Sequence, residues 1–358
     1  MKTMLTSMKF LWNWSRDGQA AVRREQFELK LGQDTVVSSF LFEPLRCAPR
    51  GTVLFVHGMS FLGHEDPRQV EACEALASVG FRVVAPNFDE ISDLRIRLET
   101  IERIGLAAQA AAEQFSSRGR VGIFSVSFSA SMCLIAASRA EYRRYIQCVC
   151  GIGAFSSCLS CVRFLMQEGE VDEYGLLVLL RNFLPDLRSV SPVFERAIEE
   201  LLKDNAFTRQ PPNAPRWIAK LSGSERVLLN RYRQEKSARD LLCDDLGHYH
   251  KKFFEQLNLL AVAEKIDCPV TLIHGADDDV ISPTESMRLF RVLKAYGKDC
   301  ELVVTPLISH GDRQLSPRMF AQLFGLLEGF AHFLKAMEAT ELGTNNGTSM
   351  AEGTAVAA

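Results

Sequence analysis

Short apolar runs alternate along this chain with longer segments that repeat apolar residues at helical spacing. The runs are continuously apolar, which is typical of strands covered on both faces of a sheet. They are TVLFV at 52–56, FRVVAP at 81–86, RVGIF at 120–124, IQCVCGIG at 146–153, PVTLIHG at 269–275 and ELVVTPL at 301–307. Strand–helix alternation of this kind predicts an α/β fold, with a mostly parallel central sheet and helices on both of its faces.

Two earlier runs have a different period. FELKL at 27–31 and TVVSSFLF at 35–42 alternate apolar and polar residues and flank the turn-like GQD. Period-two runs separated by such a turn predict an antiparallel hairpin, which here precedes the parallel strands.

Two of the helices that follow strands have clear start signals. Asp66 is a candidate N-cap with Gln69 as its capping-box partner, and Gly80 is the expected stop. The same start signal recurs later as Ser282 and Glu285. Both helices are therefore expected to begin just after a polar cap residue.

The pattern divides the chain into a core, an insertion and two extensions. We expect an α/β core at 25–154 and 266–338, interrupted at 155–265 by helical patterns without strands. An insertion of this length is often a cap or lid over an active site. Residues 1–24 are an N-terminal helix or extension, and the small, polar stretch 339–358 is a disordered tail.

Composition narrows the class of protein. The 358 residues are 47% hydrophobic and 24% charged, with a formal net charge of −3, which does not favour nucleic acid or an anionic surface as a partner. Ten cysteines fall without a regular framework in a chain too long to need disulfides. We expect a reducing, cytoplasmic setting.

The first fourteen residues, MKTMLTSMKFLWNW, could be mistaken for a targeting segment. Lys9 interrupts the apolar residues and no small-residue cleavage site follows, so a secretory signal is not indicated. Met4, Leu5, Met8 and Trp12, with Leu11, could line one face of a helix. A helix packed on the domain is favoured over peripheral membrane contact through residues 1–14.

Three serines alternate in VGIFSVSFSAS at 121–131, where a buried strand passes into a helix. A sharp strand-to-helix turn exposes the residue at its tip beside unbonded helix N–H groups, which suits a nucleophile. The backbone there is crowded, so the residues two positions away on each side must be small. Ser127 has Ser125 and Ser129 at those positions and stands at the strand's exit, whereas Ser129 would lie a turn into the helix. Ser127 is the candidate nucleophile.

At this point the chain resembles the α/β-hydrolase superfamily, specifically its serine-hydrolase branch of esterases, lipases, thioesterases and related peptidases. The resemblance covers roughly 25–155 and 265–335. The usual elbow of that branch is Gly-x-Ser-x-Gly, whereas this chain has Ser-x-Ser-x-Ser. A nucleophilic Ser127 argues against the epoxide hydrolases and haloalkane dehalogenases of the superfamily, which need Asp in its place.

The resemblance implies a nucleophile–acid–histidine order along the chain. It puts the acid at Asp278, the third residue after the glycine of VTLIHG, with Asp277 and Asp279 as register alternatives. The base it implies is His310, in ISHGD after the strand ELVVTPL. The three-aspartate loop has a second interpretation as a solvated turn or a weak cation site.

The resemblance also implies an oxyanion hole. His57 and Gly58 follow an early buried strand directly, where the superfamily carries its HG turn. The expected donors are the backbone N–H groups of Met59 and Phe128. His57 is expected to shape this turn by hydrogen bonds and not to act as the base.

These roles imply a serine hydrolase that cleaves a small-molecule carboxylic ester or thioester through an acyl-enzyme on Ser127. The apolar helices of the insertion suggest a hydrophobic acyl group. A non-catalytic protein of the same fold that binds a ligand or partner is the alternative, and an acyltransferase or peptidase is a variant within the enzyme class.

Other signals do not favour a cofactor or a metal. Cys148, Cys150, Cys158 and Cys161 lie close together in sequence, but the first two sit in an apolar strand, where cysteine acts as a small hydrophobe. The HYH at 248–250 has poor spacing for a ligand pair, and neither a phosphate-binding loop nor a dinucleotide fingerprint occurs.

Overall fold

The computed structural model describes residues 2–15, 21–33, 35–167, 172–308 and 320–339. Within these ranges eight strands form one sheet. The strands are β1 Val22–Leu31, β2 Thr35–Pro44, β3 Thr52–Val56, β4 Arg82–Pro86, β5 Val121–Val126, β6 Ile146–Ile152, β7 Val270–Gly275 and β8 Cys300–Thr305.

Fifteen helices have described residues, and each parallel strand is followed by at least one of them. They are α1 Lys2–Trp14, α2 Pro67–Ser78, α3 Asp89–Ser92, α4 Glu99–Phe115, α5 Phe128–Ser138, α6 Ala140–Arg143, α7 Cys158–Gln167, α8 Glu173–Leu187, α9 Pro192–Phe207, α10 Ala214–Ile218, α11 Gly223–Gln234, α12 Lys236–Tyr249, α13 Lys251–Gln256, α14 Pro283–Ala295 and α15 Phe320–Glu338. Helices α7 to α13 lie between β6 and β7, and we call this group the cap.

The sheet is mostly parallel. Its strand order is β1-β2-β4-β3-β5-β6-β7-β8, with β1 and β2 antiparallel and every pairing from β4 onward parallel. The predicted fold class is confirmed, and so is the N-terminal hairpin. Because the chain moves from β3 out to β4 and then back past β3 to β5, the order reverses between β3 and β5. Ligands of open α/β sheets bind at the carboxyl ends of the strands on either side of such a switch point.

The expected start and stop of α2 are confirmed. Asp66 accepts a 3.0 Å hydrogen bond from the Arg68 amide, and Gly80 has a φ of +102° just past the end of the helix. The capping box is wrong, because Gln69 donates at 3.5 Å to the carbonyl of His64 and does not reach back to Asp66.

Apolar side chains cover both faces of the sheet. On one face α1, α2 and α15 pack over an aromatic cluster in which Phe124 stacks on Phe55 at 5.2 Å and on Phe330 at 6.1 Å between ring centroids. On the other face α4, α5 and α14 pack together with apolar residues of the cap. The cap therefore shares a hydrophobic core with the sheet.

The two connections between the cap and the core are hydrogen-bonded to each other. The Leu259 amide donates to the Ser156 carbonyl at 2.9 Å, and the Cys158 amide donates to the Leu257 carbonyl at 3.1 Å. The cap is also attached through Asn182 of α8, whose side-chain amide donates to the carbonyl of Leu94 at 2.8 Å. The cap is therefore held to the core at its base and along α8.

A buried carboxylate also holds the base of the cap. Glu285 accepts hydrogen bonds from the Ser156 amide at 2.9 Å, the Ser156 hydroxyl at 2.5 Å, the Ser157 amide at 3.1 Å and the Ser160 hydroxyl at 2.8 Å. Ser282 caps α14 as expected, through the Thr284 amide. The capping box expected at Glu285 is wrong, because its carboxylate points to the cap and not to Ser282.

Helix α1 is packed on the domain. Phe10 is buried, and the Ser7 hydroxyl donates to the Leu327 carbonyl of α15 at 2.8 Å. Leu5, Met8 and Trp12 are exposed on its outer side. No helix in the described part of the chain is long and apolar enough to cross a bilayer.

Candidate active site

Ser127 stands at the turn between β5 and α5 with an unusual backbone conformation. Its φ is +57° and its ψ is −143°, a region that residues with a Cβ avoid and that costs about 1–3 kcal/mol. The strained residue is held by its own amide, which donates to the Ile152 carbonyl of β6 at 2.6 Å. The side chain is half-buried.

The serines on either side of Ser127 are fully buried and have different surroundings. The Ser125 hydroxyl donates to the Val56 carbonyl at the end of β3 at 3.0 Å, which joins the two strands that flank the switch point. The Ser129 hydroxyl has no hydrogen-bond partner among the described residues. Small side chains at both positions leave room for the close backbone at this turn.

The loop after β3 touches this turn. A Cβ added to Gly58 would lie 3.6 Å from the Cβ of Ser127 and 3.2 Å from the side chain of Val126. The amides of Met59, in this loop, and of Phe128, the first residue of α5, donate no hydrogen bond to any described residue. An oxyanion hole requires two unbonded N–H groups near the nucleophile, and these two amides belong to segments that meet at the turn of Ser127.

His57 orders the start of this loop. Its Nδ1 lies 2.9 Å from the Gly58 carbonyl, which can only accept, and its Nε2 lies 3.0 Å from the Phe88 amide, which can only donate. The ring is therefore neutral with the proton on Nδ1. Burial lowers the pKa of His57 to about 4, which agrees with this assignment. With one nitrogen bonded to the loop after β3 and the other to the Phe88 amide after β4, His57 is not available as a base.

Asp278 is brought close to the turn of Ser127 by Gly153. A Cβ added to Gly153 would lie 3.7 Å from Oδ2 of Asp278 and 3.7 Å from Cα of Ser127, so both residues border the glycine. Asp278 is buried, whereas Asp277 and Asp279 are exposed. Oδ1 of Asp278 accepts from the amides of Val280 at 3.0 Å and Ile281 at 2.9 Å, and these bonds fix the carboxylate.

His310 lies outside the described residues. The last described residue before it is Ile308, whose carbonyl oxygen lies directly against Gly275, and a Cβ on Gly275 would also be 3.7 Å from the Cβ of Asp278. The chain therefore leaves β8 beside the loop that carries Asp278, two residues before His310.

The cap covers the loop after β3. Phe207 of α9 packs on Phe61 with ring centroids 5.9 Å apart, and the ammonium of Lys203 lies 5.7 Å from the centre of the Phe61 ring. Aromatic and aliphatic groups of the cap thus lie next to the loop that carries the Met59 amide.

Three residues of the site were not found from sequence. Gly153 has a φ of +70°, and the signal that could have found it is the glycine at the end of the β6 run. Ser131 of α5 contacts Phe155 twice, accepting from its amide at 2.7 Å and donating to its carbonyl at 3.0 Å. His274 is buried behind Asp278, and only its place before the glycine of the HG dipeptide marks it.

The cysteines do not converge. Among the described residues no group of three or more His, Cys, Asp or Glu side chains is arranged to hold a metal ion. Burial raises the pKa of the Cys158 and Cys161 thiols, so they are poor thiolates.

Comparison with known proteins gives a partial family match and a fold. Residues 239–330 match the model of the prolyl oligopeptidase family, a segment that includes Asp278 and His310. No curated protein sequence matches the chain. Solved structures match over nearly all of it, but at low sequence identity.

Two peptidases and an esterase are among the solved structures that match. The Pyrococcus horikoshii acylaminoacyl peptidase has a TM-score of 0.52 and 14% identity, and the match covers 90% of this chain and 43% of that one. A Mycobacterium tuberculosis puromycin-hydrolysing peptidase has a TM-score of 0.56 and 15% identity, covering 90% and 40%. A bacterial brefeldin A esterase, described as a homologue of human hormone-sensitive lipase, has a TM-score of 0.52 and 15% identity, covering 94% and 85%.

The chain spans less than half of the length of both peptidases but most of the esterase. At these identities the shared property is the fold, so the chain has the α/β-hydrolase fold. This is the fold that the resemblance from sequence predicted.

Proposed function

We propose that this α/β-hydrolase-fold protein is a serine hydrolase that cleaves a carboxylic ester or thioester through an acyl-enzyme on Ser127. The observation that carries the proposal is the strained conformation of Ser127, with two unbonded amides beside it at the switch point of the sheet. Strain at a single exposed turn is costly and persists where the surrounding structure imposes it, which is common at catalytic nucleophiles.

The proposed mechanism assigns one role to each group. His310 takes the proton of the Ser127 hydroxyl as the oxygen attacks the substrate carbonyl, and Asp278 stabilises the imidazolium that forms. The Met59 and Phe128 amides bind the oxyanion. His310 then protonates the leaving alcohol or thiol, and water attacks the acyl-enzyme in the second half of the reaction.

Ester cleavage is favoured over peptide cleavage by the extent of the structural match. The brefeldin A esterase is matched over 85% of its length, whereas more than half of each peptidase has no counterpart in this chain. Peptide hydrolysis is the second candidate, because the family whose model matches residues 239–330 is that of prolyl oligopeptidase.

Two parallel substrate panels test the proposal. p-Nitrophenyl esters from acetate to palmitate report esterase activity, and N-acylated aminoacyl p-nitroanilides report peptidase activity. We expect turnover of the esters, with a preference for the longer acyl groups because apolar cap residues lie beside the loop after β3. The S127A variant should lose about 10⁴-fold or more in kcat.

The outcomes separate the candidates. Faster turnover of anilides than of esters favours the peptidase. A folded protein that turns over neither panel contradicts the proposed hydrolase and leaves the non-catalytic binding protein. An S127A variant as active as the wild type contradicts an acyl-enzyme on Ser127.

A further inference from the structure

His274, in β7, is fully buried directly behind the proposed acid. Its Nε2 lies 3.6 Å from Oδ2 of Asp278 and 2.8 Å from the carbonyl oxygen of Ile281. Ile281 also donates its amide to Oδ1 of Asp278 at 2.9 Å. The ring is therefore attached to the same loop that fixes the carboxylate.

The other ring nitrogen of His274, Nδ1, contacts a serine of α14. Nδ1 of His274 lies 2.6 Å from the hydroxyl of Ser286 in α14, and that hydroxyl lies 3.0 Å from the carbonyl oxygen of Ala154. The next residue, Phe155, is bonded through both its amide and its carbonyl to Ser131 in α5. A continuous polar path thus joins the loop of Asp278 to the helix that begins at the turn of Ser127.

The number of hydrogens along this path determines the charge of the ring. The path contains three short contacts, Nε2 to the Ile281 carbonyl, Nδ1 to the Ser286 hydroxyl, and that hydroxyl to the Ala154 carbonyl. Both ends are carbonyls, which only accept, so each contact needs its own hydrogen. A neutral imidazole and a serine supply two hydrogens, whereas an imidazolium and a serine supply three.

The charged groups around His274 are consistent with a cation there. Asp278 is the charged group of the described residues that forms an ion-pair contact with the ring, at 3.6 Å. On the α14 side Glu285 is occupied by the hydrogen bonds of Ser156, Ser157 and Ser160. On the α7 side Cys161, which contacts the Val280 carbonyl, is neutral because burial raises its pKa. A buried cation needs a buried counter-charge, and Asp278 supplies it.

We propose that His274 is a positioning residue for Asp278, acting as a buried imidazolium that holds the acid loop in place and keeps its carboxylate ionised. This inference rests on the proposed function, because it takes Asp278 as the acid of the hydrolase. His274 does not touch the substrate or the reacting atoms. Its effect reaches the reaction through Asp278 and His310.

Two variants separate the hydrogen bond from the charge. H274Q is neutral but can still donate to the Ile281 carbonyl, whereas H274L removes every polar contact. With a p-nitrophenyl ester we expect kcat to fall about 100-fold in H274L and less in H274Q, with KM nearly unchanged. H248Q, the same substitution at an exposed histidine, is the control and should keep wild-type kinetics.

The pH profile is the measurement that a merely structural role would not move. A cation beside Asp278 disfavours a second cation at His310, so its removal favours protonation of the base. The acid limb of kcat/KM should therefore move to higher pH in H274Q, by about half a unit or more. The proposal is overturned if the acid limb of kcat/KM lies at the same pH in wild type and H274Q and kcat is unchanged in H274L.

Failure of the proposed function can be distinguished from failure of the role proposed for His274. If S127A keeps its activity, the hydrolase itself is wrong. If S127A is inactive while both His274 variants behave as the wild type, only the role of His274 is wrong. Where a His274 variant does not fold, ¹⁵N spectra of the wild-type imidazoles decide. A ring protonated on both nitrogens at pH 7 supports the proposal, and a second neutral buried ring like that of His57 overturns it.

Discussion

The carbonyl oxygen of Ile308 lies directly against Gly275, so close that no side-chain carbon could stand between them. Gly275 is the last residue of β7, three positions before Asp278, and Ile308 is two positions before His310. The absence of a side chain at 275 therefore lets the chain that leaves β8 approach the loop of the proposed acid.

A methyl group at this position should impair the reaction more than the fold. In G275A the new Cβ forces the backbone at Ile308 away, and a displacement of about 1 Å at a catalytic group costs about 100-fold in kcat. Steady-state kinetics with a p-nitrophenyl ester measure the effect. G223A is the matched control, since a Cβ there meets nothing within 4 Å, and it should keep wild-type activity. Equal kcat values in both variants would show that this contact does not position the base.

The strain at Ser127 predicts an unusual effect of glycine on stability. S127G and S127A both remove the hydroxyl, but only glycine adopts a φ of +57° without a steric penalty. We expect S127G to be more stable to urea than S127A by about 1–3 kcal/mol, with both inactive. An S127G variant that is less stable than S127A, as glycine is in ordinary backbone, contradicts the strained turn.

The neutral state of His57 predicts how stability depends on pH. Its pKa is about 4 in the folded protein and 6.5 when unperturbed, so between these values the unfolded chain binds a proton that the folded one does not. The free energy of unfolding should therefore fall as the pH falls from 6.5 towards 4, by up to about 3 kcal/mol from this residue. Above pH 6.5 its contribution is constant.

Urea titrations at several pH values test this dependence against H57N, which keeps a donor for the Gly58 carbonyl but does not titrate. Burial also lowers the pKa of His64, so some slope remains in the variant. The part of the slope that is present in the wild type and absent in H57N belongs to His57. If wild type and H57N have the same slope between pH 4.5 and 6.5, His57 is not a buried neutral ring.

The carboxylate of Glu285 should be important for the stability of the cap. In E285Q the amide oxygen can still accept from Ser156 and Ser157, and the NH₂ group can donate to the Ser160 hydroxyl, but these buried hydrogen bonds lose the charge of the carboxylate. We expect a loss of about 1–3 kcal/mol in urea unfolding. R288A removes only the half-exposed ion pair to the same carboxylate and should cost less than about 0.5 kcal/mol. A larger loss in R288A than in E285Q would contradict this ranking.

The parallel strands of the core were predictable because their runs are continuously apolar. The runs at 52–56 and 146–153 differ from β3 and β6 by no more than one residue at either end. The turn at Ser127 was also predictable, because a strand ending beside small residues leaves few other ways to enter α5.

The contacts between distant segments were not predictable from local pattern. Glu285 matches a capping box in sequence, yet its carboxylate meets serines about 125 to 129 residues away, where burial makes four hydrogen bonds more favourable than one local bond. His274 is likewise one apolar-strand residue among others until the loop of Asp278 and the hydroxyl of Ser286 enclose it. The packing of α9 on the loop after β3 has no signal in either segment alone.

The most direct test of the account is covalent labelling with a fluorophosphonate, which reacts with activated serine nucleophiles. Peptide mass mapping of the labelled wild-type protein should find the probe on Ser127. Labelling should be abolished in S127A and strongly reduced in H310A. It should be unchanged in S156A, because the Ser156 hydroxyl donates to Glu285 and is not the proposed nucleophile. A folded wild-type protein that takes up no probe, or that carries it on another serine, contradicts the account.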